Sequence, residues 1–119
     1  MKKKLRPTIN SSKPSFSTFL GLDPRLVKGL NNVGIKVPTN IQHDALPVLL
    51  QGQSGVIASE TGNGKTLAFL LPALQKILSS INADGSRPFN HPLAVVVAPG
   101  RELAAQIKEV AETIGQVSH

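Results

Sequence analysis

Gly55-Val56-Ile57-Ala58-Ser59-Glu60-Thr61-Gly62-Asn63-Gly64-Lys65-Thr66-Leu67-Ala68-Phe69-Leu70-Leu71 decides how the rest of the sequence is read. The run Gly55-Val56-Ile57-Ala58 is short, apolar and bounded by turn formers, which predicts a buried strand. Leu67 to Leu78 is apolar over a helical length, so a glycine-rich loop joins that strand to a helix starting at Lys65. Gly62 and Gly64 permit backbone angles that turn successive N–H groups toward one anion. The helix start adds its dipole and first N–H groups at the same point. Lys65 supplies a positive charge for the β- and γ-phosphates of a nucleotide, and Thr66 a hydroxyl ligand for Mg²⁺. Ser59 to Thr66 matches the later part of the phosphate-loop pattern G-x-x-x-x-G-K-[ST], with Ser59 where the pattern has its first Gly. Kinases, GTPases and many ATPases share such a loop, so it fixes the ligand class and leaves the reaction open.

Upstream, two helices are legible. Leu22, Leu26, Val27 and Leu30 recur at helical spacing behind Asp23 as N-cap and Pro24 in the first turn, and Gly34 is placed to stop that helix. Pro38 biases Val37 away from helix, so Val37-Pro38-Thr39 reads as extended. Thr39 then caps a second helix from about Asn40, with Ile41, Ala45, Leu46, Leu49 and Leu50 as its apolar face. Downstream, Ser79 to Pro92 carries the composition of a surface loop. Leu93-Ala94-Val95-Val96-Val97-Ala98 reads as a strand buried on both faces. After Pro99-Gly100, residues 101–115 form an amphipathic pattern with Leu103, Ile107, Val110 and Ile114 inward. Strand, helix, strand, helix is the alternation of an α/β fold with a parallel sheet flanked by helices.

The composition agrees. Four Phe, no Trp and no Tyr leave a core of Leu, Val, Ile and Ala, and 119 residues suffice for one small domain only. With no Cys, disulfides and thiolate metal sites are excluded, and His43, His91 and His119 are too scattered to form a ligand cluster. The net charge of +6 is uneven: residues 1–13 hold five basic side chains and no acid. Residues 14–119 hold eight basic and seven acidic side chains, so the body of the chain is nearly neutral. Residues 1–15 are expected to be a disordered basic tail that attracts RNA phosphates, serves organellar targeting or is simply solvated. The chain is read as intracellular, with nucleus, cytoplasm, mitochondrion and plastid left undistinguished. No apolar run is long enough to span a membrane.

Three stretches in order resemble the DEAD-box ATP-dependent RNA helicases, over roughly residues 16–115. Gly34-Ile35-Lys36-Val37-Pro38-Thr39-Asn40-Ile41-Gln42 is similar to the adenine-reading Q motif of that family. Glu60-Thr61-Gly62-Asn63-Gly64-Lys65-Thr66 is similar to its motif I. Pro99-Gly100-Arg101-Glu102-Leu103-Ala104-Ala105-Gln106 looks like its motif Ia, usually written P-T-R-E-L-A-x-Q. The resemblance implies a partial RecA-like phosphate-loop domain over residues 16–119, incomplete at its C-terminal side. ATP and Mg²⁺ are the implied ligands, RNA the implied partner, and the monomer the implied state. Phe16, Lys36, Pro38, Gln42, Glu60, Thr61, Gly62, Asn63, Gly64, Lys65 and Thr66 are then the nucleotide-binding candidates. Lys65 and Thr66 carry the catalytic assignment, and Thr66 reaches Mg²⁺ through ATP.

A bidentate pairing of the Gln42 amide with the adenine edge would select ATP over GTP. The aromatic residue that stacks on adenine in the family matches Phe16, 18 residues before Gly34, or Phe19. Pro99, Gly100 and Arg101 are the RNA-backbone candidates, with Gly100 in place of the usual Thr. Glu102, Leu103 and Gln106 read as structural: a first-turn acid, a core residue and a hydrogen-bond bracket.

The family hydrolyses ATP with an Asp-Glu-Ala-Asp motif and a second RecA-like domain, and no Asp-Glu pair occurs in this sequence. The 119 residues alone are therefore expected to be inactive, partly ordered and aggregation-prone, with two strands whose edges are unpaired and whose apolar faces are exposed, and with weak ATP affinity. Two other readings stay open. One is a non-catalytic fragment that binds RNA or a partner in a regulatory role; the other is a phosphate-loop kinase or GTPase.

Overall fold

The computed structural model describes residues 15–19, 21–58, 64–87 and 90–116, so the basic tail up to Pro14 lies outside the described residues. A 3-10 turn at Phe16–Thr18 is followed by α1 (Pro24–Asn32), α2 (Asn40–Leu49), α3 (Lys65–Ser80) and α4 (Arg101–Gln116). Helix α2 packs on α3, α1 packs on α4, and α3 touches both α1 and α4.

Each helix end has a local cause. The Asp23 carboxylate accepts the Arg25 N–H at 2.8 Å and Pro24 occupies the first turn of α1, where its missing donor costs nothing. The Arg25 guanidinium binds the same carboxylate and holds Asp23 below its ordinary pKa. Its contribution is therefore full above the ordinary carboxylate value and is lost as the pH falls through the lowered one. At the other end Gly34 takes φ +84°, the Ile35 N–H returns to the Leu30 carbonyl at 2.9 Å and the Gly34 N–H to that of Asn31 at 3.1 Å. Those two bonds make a Schellman ending, which turns the chain sharply into the extended segment 35–38. Pro47 and Pro72 lie inside α2 and α3, where each supplies no N–H to the carbonyl four residues earlier.

The core is a leucine cluster between the helices. Leu22, Leu26 and Leu30 from the α1 region meet Leu46 of α2, Leu67 and Leu71 of α3 and Ile114 of α4, with Phe16 closing one end. Burial of each large side chain contributes about 1.5–3 kcal/mol. Leu103, read from the sequence as inward, is instead exposed. Helix α4 meets its neighbours through Ile107, Val110 and Ile114, and Leu103 lies one turn before that stripe begins.

The two expected strands show the largest difference from the sequence reading. Among the described residues neither 55–58 nor 93–98 pairs in a β-ladder. Val56 is 98% exposed, and Val95 and Val97 are 79% and 90% exposed: the burial that each apolar run predicts is not met, and the apolar faces are exposed as expected for an incomplete sheet. The physical reason is the lack of cover. The helices lie against one side of these segments, at Ile41, Ala45 and Val48 for 55–57 and at Leu70, Ala104 and Ile107 for Val96 and Ala98.

Gly29 sets the spacing between α1 and α4: a Cβ there would stand 2.8 Å from the Ile114 carbonyl oxygen and 3.3 Å from its Cγ2. Ala normally favours a helix interior over Gly by about 1 kcal/mol. A clash with backbone cannot be relieved by a rotamer change, so Gly29→Ala is expected to lose about 1–3 kcal/mol net. Thermal melting followed by circular dichroism measures this, and a variant more stable than the parent would contradict the close α1–α4 approach.

Candidate nucleotide site

The site is assembled from two helix starts, those of α2 and α3. Thr39, extended at φ −71° and ψ 168°, is the N-cap of α2, and Gln42 is its third helical residue. The Gln42 N–H donates to Thr39 Oγ1 at 3.4 Å while Gln42 Oε1 accepts the Thr39 N–H at 3.0 Å. This reciprocal arrangement is a capping box, and it fixes the Gln42 side chain along the start of its own helix. The other half of the amide reaches across 22 residues of sequence: Gln42 Nε2 donates to the Gly64 carbonyl at 3.2 Å. Gln42 is 2% exposed, so both bonds are made away from bulk water, and among the described residues no buried side-chain polar atom lacks a partner.

Gly64 is the N-cap of α3 in the left-handed region, φ +91° and ψ −13°, and as a glycine it offers no capping side chain of its own. Its carbonyl also accepts the Ala68 N–H at 3.1 Å, the first bond of the helix. A Cβ at Gly64 would collide with Thr39 Oγ1 and lie 3.1 Å from Thr39 Cγ2 and 3.2 Å from Gln42 Nε2. Glycine is thus required twice, by the backbone angle and by the approach of α2. The result is a helix N-terminus of positive dipole that begins at a glycine and is followed at once by Lys65 and Thr66, both half-buried. A helix start of this kind attracts an anion such as a phosphate group.

The remaining candidates fall in several places. Glu60, Thr61, Gly62 and Asn63 lie outside the described residues. Pro38 is buried and Lys36 exposed on the segment that enters α2. Phe16 is 1% exposed within the core, which leaves no ring face for a base. Phe19, the alternative, is half-buried, with its ring centroid 6.0 Å from that of His43 at an interplanar angle of 63°. Pro99, Gly100 and Arg101 are all exposed at the start of α4, and Gly100 supplies the first helical acceptor to the Ala104 N–H at 3.1 Å. Glu102 stands in the first turn of α4, as its charge favours, and Gln106 is exposed. The sequence reading missed Gln75, whose Oε1 accepts the Asp23 N–H at 2.5 Å and ties the cap of α1 to α3. No local pattern signals a bond between residues 52 positions apart.

Residues 39–119 match the family model for the DEAD/DEAH box helicase. The chain is 44% identical over 108 residues to the probable ATP-dependent RNA helicase DDX28 of Homo sapiens, covering 89% of this chain and 20% of that protein. It is 43% identical over 99 residues to the pre-mRNA-splicing ATP-dependent RNA helicase PRP28 of Lodderomyces elongisporus, covering 81% of this chain and 16% of that one. The crystal structure of the RNA-helicase Prp28 from Chaetomium thermophilum bound to ADP superimposes with a TM-score of 0.69 at 37% identity, covering 82% of this chain and 23% of that chain. This chain belongs to the DEAD/DEAH box helicase family. Its fold is that of a part of the helicase structure. The chain spans about a fifth of the length of the curated relatives it matches.

Gly64→Ala should damage both functions of that residue. A left-handed Ala costs about 1–2 kcal/mol by backbone strain alone, and the contact with Thr39 adds to it. The expected outcome is a lower melting temperature together with at least tenfold weaker binding of a fluorescent ATP analogue. Unchanged binding would mean that the α2–α3 junction is not part of the nucleotide site.

Proposed function

We propose that this chain provides the ATP-holding portion of an ATP-dependent RNA helicase. The observation that carries the reading is the Gln42 amide, which ties the helix of the Q-like motif to the last glycine of the phosphate loop. In this reading the Gln42 amide exchanges its internal partners for the donor and acceptor on the adenine edge. Lys36 and Pro38 shape the approach to that edge, and Phe19 takes the stacking role that the burial of Phe16 denies it.

The phosphates belong at the start of α3, where Glu60, Thr61, Gly62, Asn63 and Gly64 form the loop and Lys65 neutralises charge. Thr66 would hold Mg²⁺, the ion that neutralises charge developing between the terminal phosphates. Pro99, Gly100 and Arg101 would hold the RNA backbone, with the Arg101 charge added to the dipole of α4. Segments 55–58 and 93–98 belong to a parallel sheet in this reading; their exposed valines support it, because such side chains call for neighbouring strands and a second helical layer. The residues that position the attacking water are not among those of this chain, so binding and not turnover is its expected activity.

Two measurements test the proposal. Gln42→Glu keeps the acceptor that closes the capping box and removes the donor used on Gly64 and on adenine. Competition of ATP and GTP for the chain should show a preference for ATP of at least tenfold in the parent and little or none in Gln42→Glu. An equal affinity for both nucleotides in the parent would refute base reading by Gln42.

For RNA, the logarithm of affinity should fall linearly with that of salt concentration. Deleting residues 1–13, with their five charges, removes at most about 3.5 from the slope for a single strand, and Arg101→Ala about 0.7 more. A truncated chain whose residual binding ignores Arg101→Ala would assign all RNA affinity to the tail.

A further inference from the structure

Phe16, Phe19 and His43 form a chain of ring contacts that runs from the core to the start of α2. Phe16 is buried in the leucine cluster, and the Phe19 ring lies 6.2 Å from it, centroid to centroid, at an interplanar angle of 53°. The imidazole of His43 in turn stands 6.0 Å from Phe19 at 63°, a T-shaped arrangement. Rings in this geometry attract, because the positive edge of one meets the negative face of the other. His43 follows Gln42 directly, and its N–H donates to the Thr39 carbonyl at 2.9 Å. The cap that fixes Gln42 therefore fixes the backbone of His43 as well. The Asp44 carboxylate stays 3.7 Å from His43 Nδ1, beyond hydrogen-bond reach, so it is the contact with Phe19 that orients the imidazole.

We propose that His43 is a positioning residue for nucleotide recognition. Its imidazole holds the Phe19 ring beside Gln42, so that one helix start presents both a stacking ring and a hydrogen-bonding amide to a purine. This rests on the reading of Phe19 as the stacking ring and of Gln42 as the base-reading amide, and it adds a residue beyond the Q-like motif, which ends at Gln42. Phe19 needs such support. Its backbone leaves the 3-10 turn extended, at φ −79° and ψ 122°, and the ring owes its place to what it packs against: Phe16, the leucine cluster and His43. Without the imidazole the ring is less restrained, and binding a base then carries the entropy cost of ordering it. Stacking acts on any purine, whereas the Gln42 amide discriminates between purines. The two contributions are therefore separable by experiment.

The test compares ATP, GTP and inorganic tripolyphosphate as ligands of the parent, His43→Ala and His43→Phe, with circular dichroism recorded on each as a check of folding. His43→Ala should bind ATP and GTP about two- to tenfold more weakly, the range of one aromatic pair. Its ATP-to-GTP ratio and its affinity for tripolyphosphate should match the parent. His43→Phe, which keeps a ring at this position, should recover most of the lost ATP affinity. In a Phe19→Leu background, already weakened toward ATP, His43→Ala should add nothing further. By NMR, the His43 ring-proton resonances should move on addition of ATP and not of tripolyphosphate. Equal loss of ATP and tripolyphosphate in His43→Ala would assign it a structural role only, and unchanged affinities would assign it none. A further loss in the Phe19→Leu background would make its effect independent of Phe19. Each of these overturns the proposal. A parent that binds ATP no better than tripolyphosphate is a distinct outcome, which overturns the nucleotide-reading site itself and this proposal with it.

Discussion

A single primary amide holds the candidate site together. Gln42 closes the start of α2 with its oxygen and holds the Gly64 carbonyl with its nitrogen. The bonds lie out of bulk water, where a hydrogen bond is electrostatically stronger and an unmade one costs more. An amide is the side chain that carries a donor and an acceptor on one planar group, so a hydroxyl or a carboxylate at this position would satisfy only part of the arrangement. The geometry of the α2–α3 junction, and with it the aim of the α3 N-terminus, follows from that residue. An adenine that pairs with the same amide must compete with these internal partners, which couples recognition of the base to the position of the loop that holds the phosphates.

The helical layer behind the site rests on ordinary means applied at specific places. Leucines of the α1 region, α2 and α3 interlock with Ile114 of α4, Gly29 lets α1 approach α4, and Gln75 fastens the cap of α1 to the side of α3. Caps at Asp23 and Thr39 and the Gly34 ending each satisfy backbone groups that would otherwise be lost at the helix ends. The layer is consequently well specified locally, and its elements agree with the sequence patterns that predict them.

The sheet side is different because a strand owes its stability to neighbours rather than to its own residues. Residues 55–58 and 93–98 have the composition of interior strands, and the helices cover one side of each. What would pair their edges and cover their other faces is not supplied by the described residues. The outcome is a set of valines in water, Val56, Val95 and Val97, on a body that carries little net charge.

The sequence by itself determined the four helices, the caps at Asp23 and Thr39 and the family to which the motifs belong. These features are local: a capping residue, a periodic apolar face or a glycine with positive φ acts within a few neighbours. Thr39-x-x-Gln42 was legible as a cap for the same reason, although the sequence reading gave Gln42 a base-reading role and not a capping one. Tertiary structure alone decided the rest. It placed Phe16 in the core and left Phe19 beside His43, because which of two nearby aromatic side chains is buried depends on the helices that surround them. It joined Gln42 to Gly64 and Gln75 to Asp23 across 22 and 52 residues, separations over which no periodic pattern carries information. It also left Val56, Val95 and Val97 exposed, since apolar composition states what a strand requires and only the assembled neighbours decide whether it is covered.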